Sequence, residues 1–343
     1  MSSFRHSFPG HFPPENNSFS SFIMAKILIV DQFSQEAQEQ IRAAGHTVVY
    51  DTAAKGAKLT EKIAAEKPAV LVVRSTKVEA AQLDAGLPEL RMVIRAGSGV
   101  DTIDVAGAKT RGIKVCNCPG KNAVAVAELA FGLMMAIDRR IVENVVQFRA
   151  GQWNKEAFTE CRGLKGRTLG LVGCGNIGKE IAKRAIAFDM HVIVYDPFLQ
   201  PAQIEAIGAR AVPAILDVAA NADVISIHVP GGAATKKIVG EAFFAAMRPG
   251  SYLINTSRSS VVDEAALINA VHTKGIWAGV DVMDNEPQVK KGPFQHPFAA
   301  EEHIMVTHHI GASTRQAEEA IGEEALRMVL HFGQTGEMLN PVN

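Results

Sequence analysis

Cysteine is scarce, four residues in 343, which excludes a disulfide scaffold and points to a reducing compartment. Neither charge sign dominates. Lys+Arg 35 against Asp+Glu 36 leaves a formal net charge of −1, so nucleic acid and acidic membranes are not expected partners. No stretch reaches the ~18 uninterrupted apolar residues of a membrane span. Near the start there is no continuous apolar segment of secretory type, and Arg5 alone is too little charge for an organelle transit peptide. The expected location is the cytoplasm. What is present is ordinary globular material, 47% hydrophobic and 21% charged, long enough for about two domains.

Residues 1–23 stand apart. They hold five of the 16 Phe, six Ser and three Pro but only Arg5 and Glu15 as charges, and Pro9, Pro13 and Pro14 break any helix. A flexible tail without assigned function is expected there. Short apolar runs then alternate with polar helical stretches. Strands are expected at Lys26–Val30, Thr47–Tyr50, Ala69–Val73, Arg91–Ile94 and Ile113–Cys116, with helices between. A long helix is expected over about Ala123–Phe148, its first half nearly all apolar and so buried on more than one side. A second series follows, with strands at Thr168–Val172, His191–Tyr195, Val224–His228, Tyr252–Asn255 and Ile276–Val280. A last helix is expected over Thr314–Phe332, with a capping box from Ser313 to Gln316 and Gly333 and Gly336 at its end. Such alternation means two α/β units with parallel sheets.

The strongest motif is Gly173-x-Gly175-x-x-Gly178, directly after a strand and opening a helix. Gly173 permits the tight turn, Gly175 lets a pyrophosphate approach the backbone, and Gly178 lets helix and strand pack closely. The helix start, at Asn176 and Ile177, offers free N–H groups to phosphate. The next strand ends in Asp196, 18 residues beyond Gly178, near the ~20-residue offset of an acid that binds a ribose diol. That carboxylate would repel a 2′-phosphate, and no Arg follows in Pro197–Pro201, so NAD is expected rather than NADP.

Dinucleotide sites lie beyond the carboxyl ends of parallel strands. Three polar residues of the second unit stand there: Arg258, Glu286 and His309. An alcohol loses hydride only if its hydroxyl proton also leaves, so a base near neutral pKa is required, which suits His309. A carboxylate beside it holds the imidazole and stabilises its charged form, which suits Glu286. A guanidinium forks onto a carboxylate and polarises the neighbouring C–O bond, which suits Arg258. Taken singly these signals leave alternatives open: His308 competes with His309, and Arg258 and Glu286 equally fit an interface ion pair.

Together these segments are similar to the D-isomer-specific 2-hydroxyacid dehydrogenases. The resemblance runs over about Lys26–Asn343, carried by AGSGVDTID (Ala96–Asp104), NAVAVAELAFGLMMA (Asn122–Ala136), LKGRTLGLVGCGNIG (Leu164–Gly178), NTSRSSVVDEAAL (Asn255–Leu267), DVMDNEP (Asp281–Pro287) and HIGAST (His309–Thr314). It implies two doubly wound parallel-sheet domains, a Rossmann NAD domain (residues 120–311) inserted into a flavodoxin-like substrate domain (residues 24–119 plus 312–343). It implies oxidation of a D-2-hydroxy acid, 3-phospho-D-glycerate first, with glycerate or D-lactate as alternatives and an NAD-sensing binding protein as a different class. By the resemblance His309, not His308, is the base, Glu286 its partner and Arg258 the substrate arginine. Ser98, Gly99 and Val100 would hold the substrate carboxylate. Asp281 would face the nicotinamide carboxamide, and His228, Pro230, Thr235, Thr256, Ser257 and Gly311 would complete the cofactor site. A homodimer through the helix near Ala123 is implied. The chain departs from the family pattern at Ser259, where Gly is usual, and at His308, where Pro is usual. Regulation by domains beyond Asn343 is not expected.

Arg74 and Lys77 are candidates for a substrate phosphate, or equally a solvated basic turn. Cys116 and Cys118 lack a second pair at zinc spacing, so buried thiols and no metal are expected. Trp153 and Phe158 are expected to pack rather than stack on a ligand.

Overall fold

The computed structural model describes residues 23–287 and 291–343. The expected tail therefore lies outside the described residues except for Ile23. That residue is anchored: its amide donates to the Gly333 carbonyl at 2.8 Å, and its side chain packs against the core.

Five parallel strands form the first sheet: β1 (Lys26–Ile29), β2 (Thr47–Tyr50), β3 (Val70–Val73), β4 (Met92–Arg95) and β5 (Lys114–Asn117), in the order β2-β1-β3-β4-β5. This is the flavodoxin-like order. The second sheet holds β6 (Thr168–Val172), β7 (His191–Tyr195), β8 (Arg210–Ala211), β9 (Val224–Ile227), β10 (Tyr252–Asn255), β11 (Trp277–Val280) and β12 (Ile304–Val306). Its order, β12-β11-β10-β9-β6-β7-β8, is the Rossmann arrangement with one strand added; all strands are parallel, and the order in which they are laid down switches sides between β6 and β9. β8 and β12 were not among the expected strands; two and three residues are too few to show a periodicity.

Both sheets are covered on both faces, as parallel sheets must be. In the first, Ile27, Ile29, Val70, Val72 and Ile94 pack against Ile321, Ala325, Met328 and Phe332 of the last helix. Alternate residues Leu28, Leu71, Val73 and Val93 meet Leu59, Ile63 and Leu83 on the other face. The last helix spans Arg315–Thr335, and its cap is one residue later than expected: the Thr314 hydroxyl accepts from the Ala317 amide. Gly333 does not end it. A Cβ there would lie 2.4 Å from the His46 ring, so this glycine serves close packing, and the helix stops at Gly336 with φ 75°.

The expected long helix is two, Ala123–Asp138 and Ile141–Arg149. Arg140 turns left-handed between them (φ 49°), its Nε on Glu143 and its Nη1 on the Ala157 carbonyl, with its guanidinium 5.0 Å from the Phe158 ring centre. The first helix is buried against β10 and β11 through residues such as Leu133 and Met134. Trp153 does not pack as expected; it is 81% exposed. Cys116, Cys118 and Cys174 are buried free thiols, pushed up by burial to about 12, about 11 and about 11. No helix among the described residues is long and apolar enough to cross a membrane.

Candidate active site

The glycine turn joins β6 to the helix Asn176–Ala187. Gly173 has φ 90°, and a Cβ there would sit 2.7 Å from the His228 carbonyl oxygen. A Cβ on Gly178 would sit 2.6 Å from the Gly173 carbonyl oxygen, so these two glycines are forced by the protein itself. Gly175 is different: its φ is −69° and no atom lies within 4 Å of where its Cβ would be. Nothing among the described residues demands glycine there. The open space at the helix N-terminus fits a pyrophosphate that approaches the backbone closely.

Asp196 is fastened to the same turn. One carboxylate oxygen accepts from the Cys174 amide at 2.8 Å and the other from the Phe198 amide at 2.9 Å, which fixes its direction and leaves lone pairs over. Two further atoms support a bound group. His228 Nδ1 and Thr256 Oγ1, at the ends of adjacent strands β9 and β10, are buried without a hydrogen-bond partner. Burial pushes the His228 imidazole down to about 3, and its Nε2 pairs with the Ser226 hydroxyl at 2.7 Å. Orphaned buried polar atoms are costly, and a polar ligand in the cleft would satisfy both. Ser257 instead shapes the turn, its amide and hydroxyl donating to Asn255 Oδ1. Thr235 donates to the Pro230 carbonyl on the exposed rim of the cleft.

Glu286 and His309 meet: Oε2 lies 2.7 Å from Nδ1. Asp281 explains how His309 is aimed. Its carboxylate accepts from the Thr307 hydroxyl (2.6 Å) and from the amides of Ile310 (2.9 Å) and Gly311 (2.7 Å), and its carbonyl accepts from the His309 amide (2.9 Å). His309 is thereby held left-handed, φ 53°. Asp281 is 1% exposed, and its carboxylate builds the turn under His309. Gly311 serves the same turn, since a Cβ there would crowd Asp281 Oδ2 at 3.0 Å. His308 is exposed and has no partner among the described residues, so the two adjacent histidines are no longer equivalent.

The electrostatics follow the geometry. The Glu286 hydrogen bond raises the His309 pKa; burial and the Arg258 charge oppose it, and the charges of Glu286 and Asp281 add to the rise. Burial works to raise Glu286, but the His309 hydrogen bond and charge, the Met283 amide and Arg258 together hold it below the usual carboxylate range. Arg258 therefore lies near enough to act on both. Its own partner is unexpected. Nε and Nη2 donate to Asp101 Oδ2 at 3.0 and 2.7 Å, and Nη1 donates to the Ser257 carbonyl at 2.7 Å.

Asp101 follows Ser98–Gly99–Val100, and the amides of those three residues have no acceptor among the described residues, which leaves them available. The Ser98 hydroxyl donates to Asn122 Oδ1 at 2.6 Å and its carbonyl accepts from Asn117. Arg95, also missed, lies beside them at the end of β4. Its Nε is buried without a partner, its guanidinium lies against Gly97, and burial followed by the charges of Arg258 and Arg74 lowers its pKa. Arg74 pairs with Glu318 of the last helix at 3.0 Å and lines a cavity of about 870 Å³ with Phe33, Ala96 and Arg315. Lys77 is exposed. Searching the carboxyl ends of the first sheet as well as the second would have found Arg95 and Asp101.

A base with an acidic partner, a guanidinium and a row of free amides converge beside a dinucleotide turn. Residues 131–311 match the model of the D-isomer specific 2-hydroxyacid dehydrogenase NAD-binding domain. The chain belongs to this family. It is 41% identical over 262 residues to a hydroxypyruvate reductase of Thermotoga maritima, covering 76% of this chain and 83% of that one. It is 35% identical over 320 residues to a D-3-phosphoglycerate dehydrogenase of Archaeoglobus fulgidus, covering 93% of this chain but only 59% of that enzyme's length. The NAD⁺-bound 3-phosphoglycerate dehydrogenase of Entamoeba histolytica superposes with a TM-score of 0.76 at 27% identity, over 94% of this chain and 99% of that one. NAD is thus the cofactor of the family, and the glycine turn and the orphaned atoms of β9 and β10 fit it.

Proposed function

We propose that the chain oxidises a D-2-hydroxy acid to the 2-keto acid with NAD, and that 3-phospho-D-glycerate is the acid. The His309–Glu286 pair beside Arg258 carries this reading. With Nδ1 engaged by Glu286, Nε2 is the nitrogen left to take the substrate hydroxyl proton, and the carboxylate stabilises the imidazolium that results. Arg258 uses its remaining N–H groups on the acid, while the free amides of Ser98–Val100 receive its carboxylate. Bound NAD supplies the hydride acceptor. Gly173–Gly178, Asp196, His228 and Thr256 would hold it.

The sign of the pH dependence follows. Oxidation needs neutral His309, so kcat/KM rises as pH climbs through the raised His309 pKa, and keto-acid reduction falls over the same range. In Glu286→Gln the imidazole loses the partner that raised it, and the rising limb of oxidation moves to lower pH. A pH–rate profile with an unmoved limb and retained turnover contradicts the pairing.

Arg74 and Arg95 support a phosphorylated substrate: the two cations lie near enough to act on each other as like charges, and Arg95 has an unsatisfied donor, while Lys77 stands exposed three residues after Arg74. Replacing both Arg74 and Lys77 by Ala is expected to raise KM about 10- to 100-fold for 3-phosphoglycerate and to leave glycerate nearly unchanged, the loss of charge-assisted hydrogen bonds. Equal effects on both favour the second reading, an unphosphorylated hydroxypyruvate-type substrate, suggested by the Thermotoga maritima relative. A panel of 3-phosphoglycerate, glycerate and lactate followed by NADH absorbance tests the whole proposal, and tight NAD binding with no turnover leaves a binding protein instead.

A homodimer is part of the proposal, with its face moved along the chain from the expected place. The Ala123–Asp138 helix is largely spent on its own sheet. The next helix buries no residue and exposes Ile141, Val145 and Phe148 at i, i+4 and i+7, a stripe that a second copy would cover.

A further inference from the structure

We propose that Asp101 is a positioning residue for Arg258, contributed from the opposite sheet, so that Arg258 is set for the substrate only while the two sheets face each other across the cleft. The proposal rests on the reading that Arg258 binds the acid.

A guanidinium has five N–H donors. Asp101 takes two of them, Nε and Nη2, on a single oxygen, and the Ser257 carbonyl takes one from Nη1. The plane of the group is therefore fixed from two sides, and two N–H groups remain for a substrate. Asp101 stands after β4 in the first sheet, whereas Arg258 stands after β10 in the second, 157 positions away. The approach depends on Gly99: a Cβ there would lie 2.1 Å from Arg258 Nη2 and 2.8 Å from Asp101 Oδ2. Asp101 also answers a charge problem. Arg74 and Arg258 both act on Arg95 as like charges, and Asp101 is an acidic group that offsets them there. Burial works to raise its carboxyl, but the Arg258 hydrogen bond and charge, with Arg95, hold it below the usual range. Because the same loop carries the Ser98–Val100 amides, one segment both receives the substrate carboxylate and orients the arginine that grips the reacting end.

The test is a double-mutant cycle, read with NADH and either hydroxypyruvate or 3-phosphohydroxypyruvate. Asp101→Ala is expected to lower kcat/KM about 10- to 100-fold with the NADH Kd unchanged, and Asp101→Asn, which keeps an acceptor oxygen, to recover part of it. In an Arg258→Lys background, where no fork remains to be oriented, Asp101→Ala should cost less than about 2-fold. Amide hydrogen exchange should quicken in Asp101→Ala over both 97–102 and 256–262, on opposite sides of the cleft. If Asp101→Ala lowers the thermal midpoint, Asp101→Asn carries the comparison. A lowered KM, meaning that Asp101 merely occupies the substrate's place on Arg258, or a loss that adds fully to that of Arg258→Lys, overturns the proposal. Unchanged kcat/KM in Arg258→Lys alone would instead sink the role of Arg258 itself.

Discussion

Replacing His309 is expected to lower kcat by about 10²- to 10⁴-fold, the usual worth of a positioned proton acceptor. Asparagine is the substitution to use. His309 sits at φ 53°, a conformation Asn tolerates and Ala resists, so His309→Asn removes the base without straining the turn. The turn itself should persist, because Asp281 holds it through the backbone amides of 310 and 311, the Thr307 hydroxyl and the 309 amide rather than through the imidazole. NAD affinity should also persist, since the glycine turn, Asp196 and the orphaned atoms of His228 and Thr256 belong to other segments. The measurement is steady-state turnover beside NADH binding by fluorescence. Activity close to that of the parent, with binding intact, would remove His309 from the chemistry. His308→Asn is the matched control and should leave kcat within about 2-fold.

The glycine turn and Asp196 were legible because their signal is local: a strand, three glycines at set spacing and an acid one strand later. The three polar residues at strand ends were legible for a related reason, since the topology of a parallel sheet dictates where such groups gather. Contacts between distant segments were not. Arg74 pairs with Glu318, 244 positions away, and nothing in either neighbourhood announces it. Asp281 entered only through the family resemblance, and nothing near it in the sequence announces that its carboxylate reaches 26 to 30 positions ahead to fold the His309 turn. The break at Arg140 was hidden for another reason. It contains neither Gly nor Pro, and a left-handed arginine held by Glu143 and the Ala157 carbonyl leaves no mark in the pattern of apolar residues. Ser313 and Thr314 are chemically equivalent caps, so only geometry chooses between them.

The largest stability effect is expected at Asp138, the last residue of the helix that floors the second sheet. Asp138 is 4% exposed; Oδ1 accepts from Arg167 Nη1 and the Tyr252 hydroxyl, both at 3.1 Å, and Oδ2 accepts from the Gly163 amide at 3.0 Å. Arg167 is buried too, with its guanidinium 4.4 Å from the Tyr252 ring centre and Nη2 on the Asp223 carbonyl. Its Nε already has no partner, so the group depends on Asp138 for charge compensation. Asp138→Ala leaves a buried cation, a hydroxyl and an amide unsatisfied, and about 3–5 kcal/mol of stability should be lost. For a domain of this size that is a fall of roughly 10 °C in thermal midpoint. Asp138→Asn keeps one acceptor and should lie between, and Tyr252→Phe should cost only about 1 kcal/mol. At temperatures where the variant stays folded, kcat and its pH profile should match the parent, because the network touches neither His309 nor Arg258. Thermal melts that rank Tyr252→Phe at or above Asp138→Ala would show that the buried charge on Arg167 is compensated elsewhere.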